Sequence, residues 1–148
     1  MTQKDTIIIV DAQEQNRVIF RGVLEDEYNL LEAENGDKAL ILAQQYQDRI
    51  AVILLALALP GRDGYDVLKA LNDQHLISKF PVIAVTEKYT AENERRAFDL
   101  GASDIIRKPF EPYVIRRRIK NTVELNLRKL HQQEIIEAQA KKLRESNS

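Results

Sequence analysis

The sequence predicts a doubly wound α/β fold in which helices cover both faces of a five-stranded parallel sheet. Two observations lead to this prediction. The strand-like runs are apolar without alternation, which is typical of strands buried on both faces of a parallel sheet. They alternate along the chain with segments whose apolar residues recur at helical spacing. The 148 residues include no cysteine, which excludes disulfides, thiol nucleophiles and cysteine-ligated metals.

The first half of the chain supplies three strands and two helices. Residues 6–10 are a β-branched apolar run, and residues 14–25 follow with apolar positions at helical spacing. Residues 28–33 form a second, weaker strand, and residues 39–46 form the second helix. Residues 50–57 are apolar on both faces and make the strongest strand of the chain.

The second half supplies two more strands and two helices before a long final helix. Residues 59–64 are rich in turn-forming residues and precede a helix at residues 65–72. A fourth strand at 80–86, a helix at 91–100 and a short fifth strand at 104–107 complete the alternation. Right-handed crossovers leave few topologies for such a chain, and the flavodoxin-like strand order 2-1-3-4-5 is the common one.

The composition changes near Ile119. Residues 1–115 carry 13 basic and 19 acidic side chains, whereas residues 116–148 carry 9 basic and 4 acidic ones and contain neither glycine nor proline. We therefore divide the chain into a domain of residues 1–119 and a helical extension of residues 120–148. Because no helix stop precedes the end of the sequence, we expect the extension to lead to an output domain outside it.

The final helix is predicted from Pro112 to about Ser146, since no helix-breaking residue interrupts the stretch after Pro112. Its apolar residues fit two short heptad seams. These seams consist of Ile119, Val123 and Leu130, and of Ile136, Ala140 and Leu143. The two seams are out of register by one residue, and Asn126 and Gln133 lie on them, so the pattern predicts a weak coiled coil. A single helix ordered by a downstream domain is the alternative.

Four motifs, in this order and spacing, resemble the receiver domain of bacterial two-component response regulators. They are IIIVD at residues 7–11, LPGRDGYDVL at 59–68, PVIAVT at 81–86 and GASDIIRKPF at 101–110. The resemblance covers residues 5 to about 119. It implies an aspartate that accepts a phosphoryl group after the third strand and two acidic residues after the first strand that help to hold Mg²⁺. It also implies a lysine after the fifth strand and a threonine or serine after the fourth.

Carried over residue by residue, the resemblance assigns the lysine to Lys108, the hydroxyl to Thr86 and the first acidic position to Asp11. The second acidic position holds Ala12, and the phosphoacceptor position holds Ala56. A methyl group is not a nucleophile, so we expect no aspartyl-phosphate chemistry and assign no catalytic residue.

Two further positions depart from the family pattern. Glu87 replaces the usual small residue after the threonine, and Ile105 replaces the switch aromatic three residues before the lysine. Of the family's acidic positions only Asp11 is retained, so the site is expected to have no useful Mg²⁺ affinity, and no cofactor is expected. The sequence therefore predicts a degenerate pseudo-receiver that is not an enzyme.

Each retained polar residue also has a structural interpretation. We expect Asp11 and Lys108 to form an ion pair between neighbouring strand ends, and Thr86 to be a satisfied strand-end hydroxyl. Glu87 could reach Lys108 or a ligand, but a solvated loop carboxylate is the favoured interpretation. The bond between Lys108 and Pro109 resembles the cis peptide of the family.

These features predict a signalling module that acts by dimerisation or partner docking through the fourth helix, fifth strand and fifth helix, together with the C-terminal helix. Signal would pass along the fifth helix to the output domain, and the stretch from residue 130 to 147 resembles linkers that lead into HD-GYP phosphodiesterases or GGDEF domains. One alternative is a module that binds an anion or phospho-ligand with Lys108 and Thr86. Another is an ordinary receiver inactivated by substitution at positions 12 and 56.

Nucleic acid, membrane and secretion are not expected. The 22 basic residues nearly balance the 23 acidic ones, and the cations at positions 116, 117, 118 and 120 predict a solvated face or salt bridges to a partner chain. The longest apolar run, residues 50–60, is about half a membrane span. The N-terminus has no apolar signal region, so we expect a cytoplasmic protein.

Overall fold

The computed structural model describes residues 3–147, and its five strands and five helices alternate along the chain as predicted. The strands are β1 (Thr6–Val10), β2 (Asn29–Ala33), β3 (Ile50–Ala56), β4 (Val82–Thr86) and β5 (Asp104–Arg107). The helices are α1 (Glu14–Leu24), α2 (Gly36–Gln45), α3 (Gly64–Asp73), α4 (Ala91–Asp99) and α5 (Pro112–Ser146).

The strands form one parallel sheet in the order β2-β1-β3-β4-β5, which confirms the predicted fold class and strand order. All seven residues of β3 are buried because the strand lies at the centre of the sheet with helices on both faces. Since the strands are parallel, β1, β3, β4 and β5 end at the same edge of the sheet. Functional crevices of doubly wound proteins lie at this edge.

Two hydrophobic clusters pack against the two faces of the sheet. Ile8 and Val10 of β1 belong to the cluster under α2, α3 and α4, while Ile7 and Ile9 belong to the cluster under α1 and α5. This alternation follows from the two-residue period of a strand, and it divides the apolar run of β1 between the two faces. Asn35, Asp63 and Thr90 each accept a hydrogen bond from the backbone N–H three residues on, which fixes where α2, α3 and α4 begin.

Helix α5 has a buried first part and an exposed second part. Ile115, Ile119 and Val123 lie in the core against the sheet, whereas most side chains beyond Val123 are exposed. The first predicted heptad seam is therefore wrong, because two of its three members are occupied by packing within this chain. Leu130 is half-buried, and Ile136 and Leu143 are exposed. Between residues 3 and 147, no helix is long and apolar enough to cross a membrane.

Candidate functional site

A cavity of about 320 Å³ opens at the edge of the sheet where β1, β3, β4 and β5 end. It brings together six of the seven predicted site residues, namely Asp11, Ala12, Ala56, Thr86, Glu87 and Lys108. The seventh, Ile105, is a buried residue of β5 that lines a neighbouring cavity instead.

The side chain of Asp11 is held by the first turn of α1. Its carboxylate accepts a hydrogen bond from the backbone N–H of Gln13 at 2.9 Å and another from Nδ2 of Asn16 at 3.1 Å. Asn16 is buried, and the backbone carbonyl of Asp11 accepts a further hydrogen bond from Arg17 at 2.7 Å. The predicted ion pair between Asp11 and Lys108 is therefore wrong, because the start of α1 satisfies the carboxylate locally.

Lys108 pairs with Glu87 instead. Its Nζ lies 2.5 Å from Oε1 of Glu87, and the two side chains are 28% and 61% exposed. Glu87 remains exposed as expected, but it also reaches Lys108, as the alternative interpretation held, because β4 and β5 are neighbours and their following residues meet at the sheet edge. The bond between Lys108 and Pro109 is cis, as predicted. The pairing leaves Lys108 neutralised by a residue of the same chain.

Thr86 ends β4 and closes a local turn. Its hydroxyl accepts a hydrogen bond from the backbone N–H of Lys88 at 3.1 Å and donates one to the carbonyl of the same residue at 3.2 Å. The interpretation of Thr86 as a satisfied strand-end hydroxyl is confirmed.

Two alanine side chains line the cavity. Ala56 is the last residue of β3, is only 6% exposed, and faces the cavity together with Ala12. Helix α3 begins close behind, since a Cβ at Gly64 would lie 2.4 Å from the carbonyl oxygen of Ala56. Tyr65 borders the cavity, and the guanidinium of Arg96 lies over its ring at 3.9 Å from the centroid. Burial raises the pKa of Tyr65 above its ordinary value.

The residues of this cavity do not fit the Mg²⁺ that receivers use. Mg²⁺ is bound through one or two carboxylates together with substrate phosphate oxygens. Here Asp11 is engaged by α1, Glu87 is engaged by Lys108, and position 56 offers only a methyl group. In the described range of residues 3–147, no cluster of three His, Asp or Glu side chains could hold a metal ion.

Asn16 is the site residue that sequence reasoning missed. It occupies a core-facing position of α1, four residues before the buried Phe20. A buried amide needs a hydrogen-bonding partner, and Asp11 is that partner. Asn16 could have been identified from the sequence, because an asparagine on the apolar stripe of a predicted helix needs a buried partner.

Beside the cavity, several charged groups of the α4–β5–α5 face are paired within the chain. Arg118 of α5 lies 2.9 Å from Asp104 of β5. The guanidinium of Arg107 lies 4.4 Å from the ring centroid of Tyr89, whose hydroxyl donates a hydrogen bond to Glu94. That hydrogen bond is the main cause of a raised pKa at Tyr89.

Comparison with known proteins agrees with the fold and the motifs. The family model of the response regulator receiver domain matches residues 7–120. Histidine kinase P4 of Formosa agariphila is 33% identical over 126 residues, which cover 85% of this chain and 9% of the kinase. The transcriptional regulatory protein ResD of Bacillus subtilis is 35% identical over 120 residues, which cover 80% of this chain and 48% of ResD.

A solved structure has the same fold as this chain. The structure of chemotaxis protein CheY4 of Vibrio cholerae superposes with a TM-score of 0.73 at 24% identity, covering 80% of this chain and 98% of CheY4. The chain spans about half or less of the length of the two curated relatives above. With the family model matched over most of its length, the chain belongs to the response regulator receiver domain family of two-component signalling.

Proposed function

We propose that this receiver domain is non-phosphorylatable and works as a regulatory module that dimerises or docks a protein partner. The observation that carries the proposal is Ala56, a methyl group at the end of β3 where the family places its phosphoacceptor. A phosphoryl group requires an attacking oxygen, and Ala56 has none.

The polar groups of the cavity support the same conclusion. Asp11 is held by hydrogen bonds from α1 and Lys108 is paired with Glu87, so both side chains are engaged within the chain. A receiver that works by phosphorylation uses its lysine to neutralise charge on the transferred group. In this chain the lysine is stabilised without a ligand, which suits a domain with one constant state.

The module acts through surfaces rather than through chemistry. We place the partner or homodimer contact on the α4–β5–α5 face and the C-terminal helix, and signal passes along α5. The domain of residues 1–119 then anchors the extension of residues 120–148, which leads to an output domain of HD-GYP or GGDEF type in the cytoplasm. Support for this comes from the exposed second half of α5, which the domain does not need for its own core.

The mass in solution tests the assembly part of this proposal. Light scattering compares the full chain with a version truncated after Asn126, which keeps Val123, the last core residue of α5. We expect a dimer for the full chain and a monomer for the truncated one. Two monomers would contradict dimerisation through α5 and leave only partner docking.

A revertant tests the alternative of an ordinary receiver altered at positions 12 and 56. Ala12→Asp combined with Ala56→Asp restores both carboxylates, and acetyl phosphate with Mg²⁺ supplies the phosphoryl group. We expect poor phosphorylation because Glu87 still pairs with Lys108 and Ile105 replaces the switch aromatic. Rapid phosphorylation of the revertant would instead support that alternative.

The anion-binding alternative requires Lys108 and Thr86 to be available to a ligand. Lys108 and Thr86 would have to leave Glu87 and the backbone of Lys88 before they could contact a phosphate. Titration calorimetry with inorganic phosphate is expected to show no binding. Binding that disappears in Lys108→Ala would favour the alternative.

A further inference from the structure

The cavity at the sheet edge has the features of a site for a small organic molecule. Its volume of about 320 Å³ lies at the lower end of the range that such sites occupy, about 300–1,000 Å³. Small-molecule sites combine apolar and aromatic walls with a few polar groups. This cavity does so, since its lining includes Val85, Tyr65 and Phe110 together with Ala12 and Ala56.

A buried carboxylate without a counter-ion lies in the wall of the cavity. Asp11 is 6% exposed, and among residues 3–147 it is the one charged side chain that is buried. Within that range it takes part in no ion pair, and the nearby Arg17 contacts its backbone carbonyl instead of its carboxylate. Buried charges in proteins are ordinarily paired with an opposite charge or a metal ion. Asp11 therefore has a negative charge that a bound cation would neutralise.

Asp11 also keeps acceptor positions for such a cation. Its Oδ1 accepts one hydrogen bond from the backbone N–H of Gln13, and its Oδ2 accepts one from the side-chain amide of Asn16. A carboxylate offers about four acceptor positions, so about half of them remain. Mg²⁺ would need further oxygen ligands around it, whereas an ammonium group needs only acceptors and a negative charge.

The remaining lining disfavours an anion and accommodates an alkyl chain. Lys108 is already paired with Glu87, and Glu87 adds a second carboxylate to the lining. Lys88 also lines the cavity, but it is exposed and its charge is screened by solvent. The methyl groups of Ala12 and Ala56 provide apolar surface against which carbon atoms pack.

We propose that this cavity binds a small primary alkylammonium. Its ammonium group donates hydrogen bonds to the carboxylate of Asp11, and its alkyl chain packs against Ala12 and Ala56. The inference goes beyond the proposed regulatory role, because it gives the domain a ligand of its own. It does not depend on dimerisation or on the partner that the module docks.

Titration of the full chain with n-butylammonium at neutral pH and constant ionic strength tests the site. Amide chemical shifts measured by nuclear magnetic resonance are expected to show saturable changes at the residues that line the cavity. The dissociation constant is expected in the millimolar range or below, which a ligand with so few atoms can reach. Butan-1-ol has the same chain without the charge and is expected to bind at least about tenfold more weakly. Butyrate is expected to cause no saturable change, and butyrate or butan-1-ol binding as tightly as butylammonium would overturn the inference.

Two variants locate the ammonium and the alkyl chain. Asp11→Asn keeps the shape of the side chain but removes its charge, so we expect at least about tenfold weaker binding of butylammonium. Ala12→Leu fills the cavity from an exposed position and is expected to weaken binding as well. This second variant keeps the test decisive if Asp11→Asn fails to fold, and far-ultraviolet circular dichroism shows whether each variant folds.

Glu14→Gln is the matched control, since it removes an exposed carboxylate at the start of α1 that does not line the cavity. We expect it to leave the affinity unchanged. The inference would be overturned by an unmodified chain without saturable binding, by equal losses in Glu14→Gln and Asp11→Asn, or by unchanged affinity in Ala12→Leu. None of these results would bear on the proposed lack of phosphorylation, which rests on Ala56.

Discussion

Restoring a carboxylate at position 56 probes how firmly Glu87 holds Lys108. Ala56→Asp places a carboxylate at a position that is 6% exposed, in a cavity that already contains Asp11. The cation that could compensate it lies 2.5 Å from Glu87. We expect the single substitution to destabilise the fold by about 1–3 kcal/mol, the cost of a buried polar group without a partner.

Glu87→Ala releases Lys108 for the introduced carboxylate. Because Glu87 is 61% exposed, its ion pair contributes at most about 1 kcal/mol, and the single loss is small. In the double variant the lysine turns to the new carboxylate, so the double loss is smaller than the sum of the single losses by about 1 kcal/mol. Glu87→Gln is the matched control, since it removes the charge and keeps the shape.

Urea unfolding of the four proteins in this cycle gives the coupling free energy directly. We expect a favourable coupling with either substitution at Glu87. Losses that add to within about 0.4 kcal/mol would refute the reasoning, because they would mean that Glu87 does not compete for Lys108.

Three further outcomes follow from packing and charge. Ile119→Ala is expected to lower the free energy of unfolding in urea by about 2–5 kcal/mol, because Ile119 is 1% exposed. Ile136→Ala changes a side chain that is 54% exposed and should change that free energy by no more than about 0.5 kcal/mol. Equal losses would contradict the division of α5 into a buried and an exposed part. Gly64→Ala should destabilise the fold by about 2–3 kcal/mol in the same assay, since its Cβ would lie 2.4 Å from the carbonyl oxygen of Ala56 at the end of β3. A neutral effect would contradict that close approach. Hydrogen bonding by Arg49 lowers the pKa of Asp5 from its ordinary value of 3.8, so Asp5 contributes stability above pH 3.8 that is lost as the pH falls through its lowered folded pKa. Unfolding midpoints measured across this acid range should show a weaker pH dependence in Asp5→Asn, and an unchanged dependence would contradict the assignment.

The sheet could be predicted because its central strand is apolar throughout and must be buried on both faces. β3 consists entirely of apolar residues, so burial on both faces is the arrangement that removes them all from water. The packing of helix α5 was harder to predict, because apolar residues at helical spacing fit a core-facing stripe and a heptad seam equally well. Ile119 and Val123 serve the core, which only the position of α5 against the sheet reveals.

The site could be predicted as a set of residues but not as a set of contacts. Parallel strands bring Asp11, Glu87 and Lys108 to one edge, so their proximity follows from the fold. Which carboxylate takes the lysine depends on the first turn of α1, where the N–H of Gln13 and the amide of Asn16 already satisfy Asp11. These local hydrogen bonds are not encoded in a sequence pattern.

The same limit applies to the basic run of α5. Consecutive cations point around the helix, and the sequence gives no reason to separate Arg118 from its neighbours. The position of Asp104 on β5 separates them, since it pairs with Arg118, whereas Arg116, Arg117 and Lys120 line a groove on the other side of the helix.

Intact-protein mass after incubation of the full chain with acetyl phosphate and Mg²⁺ tests the central claim most directly. With a methyl group at Ala56 and Asp11 engaged by α1, we expect the mass to remain that of the unmodified chain. A phosphoryl adduct on any carboxylate of the cavity, Asp11 included, would contradict a non-phosphorylatable receiver.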